Sequence, residues 1–120
     1  MKSYKDLEIY QLAFKLAVRI YHQSMKLPFP DRIETGGQIR RSSQTTKDTI
    51  VEGYGRRRYK ADFLKYLVYS HASLLESISQ SDFLEEIHPG TGWAEISTEL
   101  DSLGIKIFNF INYVEENWKT

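Results

Sequence analysis

The order of apolar and polar residues follows the α-helical period along most of the chain. In the first segment the polar positions recur at spacings of three and four: Glu8, Gln11, Lys15, Arg19, His22 and Lys26. Pro28 and Pro30 follow and stop the helix, because proline lacks the amide proton that a helix interior needs. The pattern predicts a first helix over about residues 6–26.

Apolar residues cover most of this helix outside its narrow polar stripe. They form two sides, the first with Ile9, Leu12, Ala13, Leu16 and Ile20, and the second with Leu7, Tyr10, Phe14, Ala17 and Tyr21. One seam of a monomeric bundle needs only one apolar side. The excess predicts that the first helix takes part in self-association.

The next segment has few large apolar residues and is rich in serine and threonine between residues 42 and 49, which are weak helix formers. Ser43 and Thr46 are nevertheless in phase with Ile39 and Ile50, and small residues there suit a helix that lies close to its neighbours. We expect a second helix over about residues 31–54. Gly53 and Gly55 are both candidates for the turn that ends it.

Two further helices are predicted over about residues 59–88 and 92–118. The third carries the stripe Leu64, Leu67, His71, Leu74 and Ile78 and ends at the break formed by residues 88–92. The fourth has the clearest pattern, with Trp93, Ile96, Leu100, Leu103, Ile107, Ile111, Val114 and Trp118 at near-heptad spacing. Four long helices with short connections predict an all-α, antiparallel, up-down four-helix bundle that occupies residues 1–120 as one domain.

Composition supports a globular protein and excludes several classes. Apolar residues make up 41% of the 120 residues and charged residues 27%, and there is no cysteine for a disulfide or a thiolate metal site. We expect a cytoplasmic protein without a secretory signal, and without the run of about 20 apolar residues that a membrane-spanning helix needs. The net charge is zero, but residues 40–65 carry eight basic and three acidic side chains, whereas residues 66–120 carry two basic and nine acidic ones. The basic middle is the candidate for contact with a polyanion.

Several short motifs follow one another along the first three predicted helices: Asp6-Leu7-Glu8-Ile9-Tyr10-Gln11, Pro30, Gln38-Ile39-Arg40-Arg41, Thr49-Ile50-Val51-Glu52-Gly53, Phe63-Leu64 and Ser73-Leu74-Leu75-Glu76. Together they resemble the motifs of the bacterial four-helix-bundle family of intervening-sequence proteins, some of which are encoded inside intervening sequences of large-subunit ribosomal RNA genes. The resemblance covers about residues 6–76 and is weaker in the fourth helix. The chain departs from the family pattern at Thr49, where asparagine is usual, at Val51, where alanine is usual, and at Ser42 and Ser43, which replace an alanine pair.

The resemblance implies a four-helix fold and a homo-pentameric ring. Through the relationship of this family to the accessory proteins of diversity-generating retroelements, it also implies binding to nucleic acid. The number five comes from the resemblance alone.

The best functional candidate is the basic segment, residues 56–60, which consists of Arg56, Arg57, Arg58, Tyr59 and Lys60. Guanidinium groups bind phosphates through two hydrogen bonds, and aromatic faces stack on unpaired bases. Tyr54, Phe63, Tyr66 and Tyr69 lie nearby in the sequence. The alternative is a solvated turn between helices, with its tyrosines packed on neighbouring helices.

Arg40, Arg41, Glu52, Gly53 and Glu76 are assigned structural or interface roles. One of the two arginines is expected to point inward and to form an ion pair with Glu52 or Glu76 at a helix or subunit interface. Gly53 is expected to allow a close approach of two helices or to end a helix.

No residue pattern indicates a catalytic site, a cofactor or a metal. A di-metal centre in a bundle needs two Glu-x-x-His pairs, and the chain has one, Glu85 and His88, beside the break at Pro89. The structural alternatives are a histidine that interacts with the helix dipole, for His88, and a core histidine, for His71. No serine or threonine has an evident base partner.

The sequence therefore predicts a non-enzymatic, self-associating bundle that binds RNA or DNA through the basic segment. A protein-binding scaffold is the second hypothesis, in which a partner docks on the basic middle or on the acidic half (Glu85, Glu86, Glu95, Glu99 and Asp101). A metal enzyme is the third.

Overall fold

The computed structural model describes residues 2–119, which form four α-helices. These are α1 (Glu8–Met25), α2 (Thr35–Gly55), α3 (Lys60–Ile87) and α4 (Trp93–Asn117), with a short 3-10 turn, Tyr4–Asp6, before α1. Each helix packs antiparallel on the next, and α4 returns beside α1 to close the bundle. The resulting bundle measures 48 × 20 × 20 Å, and residues 2–119 contain no strand. The predicted all-α four-helix fold is confirmed.

The main difference from the predicted boundaries lies at the start of α2. The predicted helix began at Asp31, but the observed helix begins at Thr35. The backbone N–H groups of Ile33 and Glu34 both donate to the carbonyl oxygen of Pro30, each over 3.0 Å, so this stretch closes into a turn before the regular helix starts. The other seven helix ends lie within two residues of their predicted positions.

Side chains satisfy free amides at the start of the 3-10 turn that precedes α1 and at the start of α4. Before α1, the Ser3 hydroxyl accepts from Lys5 N, and the Asp6 carboxylate accepts from Lys2 N (2.9 Å) and Ser3 N (3.1 Å). These two bonds from backbone amides lower the pKa of Asp6 from its usual 3.8. At α4, the Glu85 carboxylate accepts from the backbone N–H groups of Gly90 and Ala94, both at 3.0 Å.

Helix α4 supplies the largest apolar contribution to the core. Its residues Trp93, Ile96, Leu100, Leu103, Ile107 and Val114 are at most 2% exposed. They repeat at the spacing that the sequence predicted, and they meet Ile20 of α1 and Leu67 and Leu74 of α3 in one cluster. Burial of this stripe is the principal source of stability.

Helices α2 and α3 meet through small and hydroxyl-bearing side chains. The Ser42 hydroxyl lies 2.6 Å from that of Ser77 and donates to Gln80 Oε1 over 2.8 Å, and the Ser70 hydroxyl donates to the carbonyl oxygen of Thr46 over 2.7 Å. Gly53 lies against α3, where an added Cβ would stand 3.2 Å from Tyr66 Cβ. The close approach expected from Ser43, Thr46 and Gly53 is therefore present.

The predicted stripe of α3 proved to be only one border of its buried face. Leu67 and Leu74 are fully buried, whereas Leu64, His71 and Ile78 are half-buried. The rest of the buried face consists of Phe63, Ser70, Ser77, Ser81 and Leu84. The hydropathy pattern does not predict these serines as buried because serine is polar, although only a small side chain fits beside α2.

Candidate nucleic-acid interface

The basic segment lies at one end of the bundle, in the turn that joins α2 to α3. Gly55 is the last residue of α2, and Tyr59 N donates to Arg56 O over 3.0 Å to close the turn before Lys60 begins α3. The three arginines and Tyr59 are exposed, and Lys60 is half-buried. The C-terminal end of α4 lies beside them, where Trp118 Nε1 donates to the carbonyl oxygen of Arg57 over 2.9 Å.

Arg56 is bound to acidic side chains of both flanking helices. Its Nε lies 2.6 Å from Glu52 Oε2, its Nη1 lies 3.7 Å from Asp62 Oδ2, and its guanidinium carbon lies 5.0 Å from the centre of the Tyr66 ring. The hydrogen bond that Arg56 donates to the Glu52 carboxylate raises the pKa of Arg56 above its usual value. Two carboxylates offset the charge of Arg56, so this residue bridges the turn rather than presenting a free cation.

Arg57 has no carboxylate partner among residues 2–119, and its guanidinium is fixed by aromatic and backbone contacts. The guanidinium carbon lies 3.9 Å above the centre of the Tyr54 ring, and Nη1 donates to Tyr54 O over 2.9 Å. Tyr54 itself is 7% exposed. A rigid buried ring therefore holds this cation in one orientation, with hydrogen-bond donors still available for a phosphate.

Arg58 and Tyr59 project from the tip of the turn. Arg58 forms neither an ion pair nor a hydrogen bond with any described residue, and the Tyr59 side chain is 60% exposed. Lys60 turns back to the bundle, and its Nζ donates to Glu115 O over 2.5 Å. The structure thus separates Arg57, Arg58 and Tyr59, which are exposed and have no carboxylate partner among residues 2–119, from Arg56, which is exposed but paired with two carboxylates, and from Lys60, which is half-buried.

A second cation with aromatic neighbours follows along the first turns of α3. Lys65 Nζ lies 5.8 Å from the ring centre of Tyr66 and 5.9 Å from that of Tyr69. The two tyrosine rings meet edge to face at 5.5 Å, and Tyr69 is about half exposed. These tyrosines were expected near the basic segment, whereas Trp118 was predicted only as the end of the α4 heptad pattern and not as a neighbour of the turn.

The residues expected to serve structural roles have different partners from those predicted. Arg40 Nη1 donates to Ser24 Oγ over 2.8 Å and Nη2 donates to Arg32 O over 2.9 Å, which ties α2 to α1 and to the loop between them. Glu52 binds Arg56 instead. Within residues 2–119 neither Arg40 nor Arg41 forms the expected ion pair with Glu52 or Glu76, because Ser24 and the loop carbonyl already satisfy Arg40.

Three of the residues weighed as a metal or acidic docking site, His88, Glu85 and Glu99, are engaged within the subunit. His88 Nε2 lies 2.8 Å from Asp31 Oδ2 and links the two loops at the end of the bundle opposite the basic segment. Glu85 binds the start of α4, and Glu99 forms an ion pair with Arg19 of α1. No group of three or more His, Asp or Glu side chains in residues 2–119 is arranged to hold a metal ion. His71 is half-buried, with its ring 6.3 Å from that of Phe108.

An unpartnered apolar stripe runs along the outer surface of α1. Phe14, Val18, Tyr21 and Met25 recur at helical spacing and are between 43% and 47% exposed. They belong in part to the second apolar side that the sequence predicted, of which Leu7 and Ala17 are buried. None of the helices in the described part of the chain is both long and apolar enough to cross a membrane.

These features define the class of protein: a four-helix bundle with a basic and aromatic turn at one end and an exposed apolar stripe on its side. The chain belongs to the 23S rRNA-intervening sequence protein family, whose model matches residues 5–111. This confirms the resemblance found in the sequence motifs and extends it through most of α4. A comparison with curated protein sequences gave no significant match.

Proposed function

We propose that this protein is a non-enzymatic, self-associating bundle that binds RNA or DNA in the cytoplasm through the α2–α3 turn. The observation that carries the proposal is the exposure, at one end of the bundle, of Arg57 and Arg58 without carboxylate partners among residues 2–119, beside the exposed ring of Tyr59. Guanidinium groups of this kind bind phosphates through hydrogen bonds, and exposed aromatic rings stack on unpaired bases. The name of the family, which refers to 23S rRNA, supports the RNA side of the proposal.

The contacts within the turn suggest different roles for the five residues of the basic segment. Arg57 and Arg58 are the phosphate ligands, because they are exposed and, unlike Arg56, have no carboxylate partner among residues 2–119, and the exposed ring of Tyr59 is the stacking surface. Arg56 and Lys60 act as positioning residues, since each ties the turn to an adjacent helix. This ranking differs from the equal weight that the sequence suggested.

Self-association would strengthen nucleic-acid binding, because an assembly repeats the small positive charge of one α2–α3 turn. One turn with two unpaired arginines is a weak polyanion site, and several copies at the same end of an assembly would add their fields. The stripe of α1 provides apolar surface for such an assembly. Five subunits is the number implied by the family resemblance.

The test is fluorescence anisotropy with short single-stranded RNA and DNA over a salt series. Affinity should fall as salt rises, because bound phosphates release counterions. Arg57→Glu with Arg58→Glu should weaken binding by roughly tenfold or more and make the salt slope shallower by about one to two units. Lys26→Glu, an exposed charge change at the opposite end, is the matched control and should leave both quantities unchanged.

Two results would contradict the proposal. One is the absence of binding to either probe at low salt, and the other is equal loss of affinity in the double variant and the Lys26→Glu control. Sedimentation of each variant shows whether subunit number has changed. If a co-purifying protein were retained after nuclease treatment while neither probe bound, the scaffold hypothesis would replace this one.

A further inference from the structure

The basic segment continues along α3 as a row of cations and aromatic rings. The ring of Tyr66 joins the two parts, because the guanidinium carbon of Arg56 lies 5.0 Å from its centre and Lys65 Nζ lies 5.8 Å from it. Tyr69 follows, with its ring centre 5.5 Å from that of Tyr66 and 5.9 Å from Lys65 Nζ. The α3 row (Lys65, Tyr66 and Tyr69) therefore forms one continuous strip with the basic segment.

Two members of the α3 row face solvent. Lys65 is exposed and forms neither an ion pair nor a hydrogen bond with any described residue, and Tyr69 is 47% exposed. The same combination of a cation and an exposed ring occurs at the tip of the turn in Arg58 and Tyr59. The strip thus offers two places where a phosphate and a base can be bound side by side.

Acidic side chains limit what the strip can accept. Glu52 and Asp62 both pair with Arg56, which lies against the ring of Tyr66, so two carboxylates lie close to the α3 row. A duplex would bring two phosphate backbones to this surface and would hide the faces of its bases, so it would meet the carboxylates and gain little from the rings. A single strand brings one backbone and leaves its base faces open to stacking. Few unpaired cations beside exposed rings therefore favour a single strand.

The length of the strip sets how much of a strand it can hold. Tyr59 directly precedes α3, and Tyr69 lies ten positions further along the chain. At 1.5 Å per helical residue their backbones are separated by about 15 Å. Phosphates of one stacked strand follow each other at about 3.4 Å, so roughly four to five nucleotides span this distance.

We propose that the α2–α3 turn and the α3 row together form a surface that binds single-stranded nucleic acid and discriminates against duplexes. Arg57 and Arg58 bind phosphates at the turn, Lys65 binds a phosphate further along the strand, and a base stacks on Tyr69. Stacking uses the face of a base and not its edge, so the surface selects strandedness rather than sequence. The inference rests on the proposed function and extends its site from the turn to α3.

The experiment compares single strands of about 12 nucleotides, long enough to span the strip, with the same strands annealed to their complements. Fluorescence anisotropy measures the affinity of the full chain for each probe, in RNA and in DNA. Tyr69→Ala removes the ring and Tyr69→Phe retains it. Phe83→Ala is the matched control, because Phe83 is 52% exposed on the same helix but lies toward its other end. Circular dichroism and sedimentation verify the helix content and subunit number of each variant.

The wild-type protein should bind the single strand roughly tenfold more tightly than the duplex, for RNA and for DNA, because phosphates and base faces are common to both. Tyr69→Ala should weaken single-strand binding by roughly fivefold to tenfold, the loss expected of one stacked base, and should leave duplex affinity unchanged. Tyr69→Phe should bind like the wild type, and Phe83→Ala should change neither affinity.

Lys65→Gln tests the α3 row through its charge. This variant should weaken single-strand binding and make the salt dependence shallower by about one unit, because one phosphate contact is lost. Lys65 is exposed, so its replacement leaves the core intact and keeps the inference testable if Tyr69→Ala is not helical.

Three results would overturn the inference: a duplex that binds as tightly as its single strand, unchanged single-strand affinity in Tyr69→Ala and Lys65→Gln, or an equal loss of affinity in Phe83→Ala. A failure of the proposed function looks different, since then no probe binds to the wild-type protein. If single strands bind and only the double variant of Arg57 and Arg58 weakens them, the proposed function stands without the α3 row.

Discussion

The two helices that flank α3 meet it in contrasting ways. Along α4 the contact consists of large apolar side chains such as Ile107 and Leu100 that fill space. Along α2 it consists of serines, a threonine and Gly53, and the helices are joined by hydroxyl hydrogen bonds such as that between Ser42 and Ser77. Helix α3 therefore has two different interfaces. The one with α4 buries large apolar side chains, and the one with α2 depends on side chains that are small.

The difference indicates that one interface contributes mainly to the stability of the bundle and that the other sets the relative position of α2 and α3. Apolar burial tolerates some rearrangement, whereas a serine-to-serine bond of 2.6 Å fixes both the spacing and the register of the two helices. The basic segment connects α2 and α3, the pair of helices that is joined through small residues, and it begins three residues after Gly53. The orientation of Arg57 and Arg58 thus depends on the small-residue interface, while α4 makes the largest apolar contribution of the four helices to the core.

The largest expected effect comes from opening a cavity on the α4 side. Ile107→Ala should lower the free energy of unfolding by about 2–5 kcal/mol, because the fully buried side chain leaves a space that its neighbours cannot fill. Urea denaturation followed by circular dichroism measures the change. The exposed Asn112→Ala on the same helix is the control and should change stability by less than about 0.5 kcal/mol. Equal losses in both would contradict the assignment of the core to this face.

A size series at Ser77 tests the small-residue interface. Ser77→Leu should cost roughly 1–3 kcal/mol or more, because the added carbons have no space between α2 and α3 and the bond to Ser42 is lost. Ser77→Ala should cost only about 1 kcal/mol, since Ser42 keeps its bond to Gln80. Urea midpoints for the pair measure the difference. A leucine variant as stable as the alanine variant would show that the helices are free to separate.

The smallest expected effect has the opposite sign. The Ser81 hydroxyl is buried and has no hydrogen-bond partner among the described residues. Ser81→Ala should therefore raise the free energy of unfolding by about 1 kcal/mol, because the variant no longer desolvates an unsatisfied polar group. Thermal unfolding of this variant beside Ser77→Ala gives the comparison. Destabilisation at both positions would mean that the Ser81 hydroxyl has a partner of its own.

The same contrast explains how far the sequence predicted the fold. The helices with regular apolar patterns, α1 and α4, were predicted within two residues. The start of α2 was wrong by four residues, since Pro30 accepts two turn bonds that no periodicity signals. The α2-facing half of α3 was overlooked because its serines are buried for their size rather than their hydropathy.

Composition pointed to the candidate site, but it did not distinguish the roles of the individual residues in it. Three consecutive arginines mark the turn, yet only the three-dimensional arrangement distinguishes them. Arg56 pairs with the carboxylates of Glu52 and Asp62, whereas Arg58 pairs with no carboxylate among residues 2–119. The ion pair expected of Arg40 or Arg41 with Glu52 or Glu76 is absent within residues 2–119 for a similar reason, because Arg40 binds Ser24 and Arg32 O while Glu52 binds Arg56. The sequence shows which charges exist, but the fold decides which of them meet.

The positions of the two tryptophans have an optical consequence. Trp93 is fully buried at the start of α4, and Trp118 is half-buried at its other end, with its indole N–H bonded to Arg57. At 1.5 Å per residue the two rings are separated by roughly 40 Å. The chain therefore contains two intrinsic fluorophores: Trp118 in contact with the basic segment and Trp93 in the core at the far end. Replacing either with phenylalanine isolates the emission of the other, so occupancy of the arginine turn and integrity of the interior can be followed separately in the unlabelled protein.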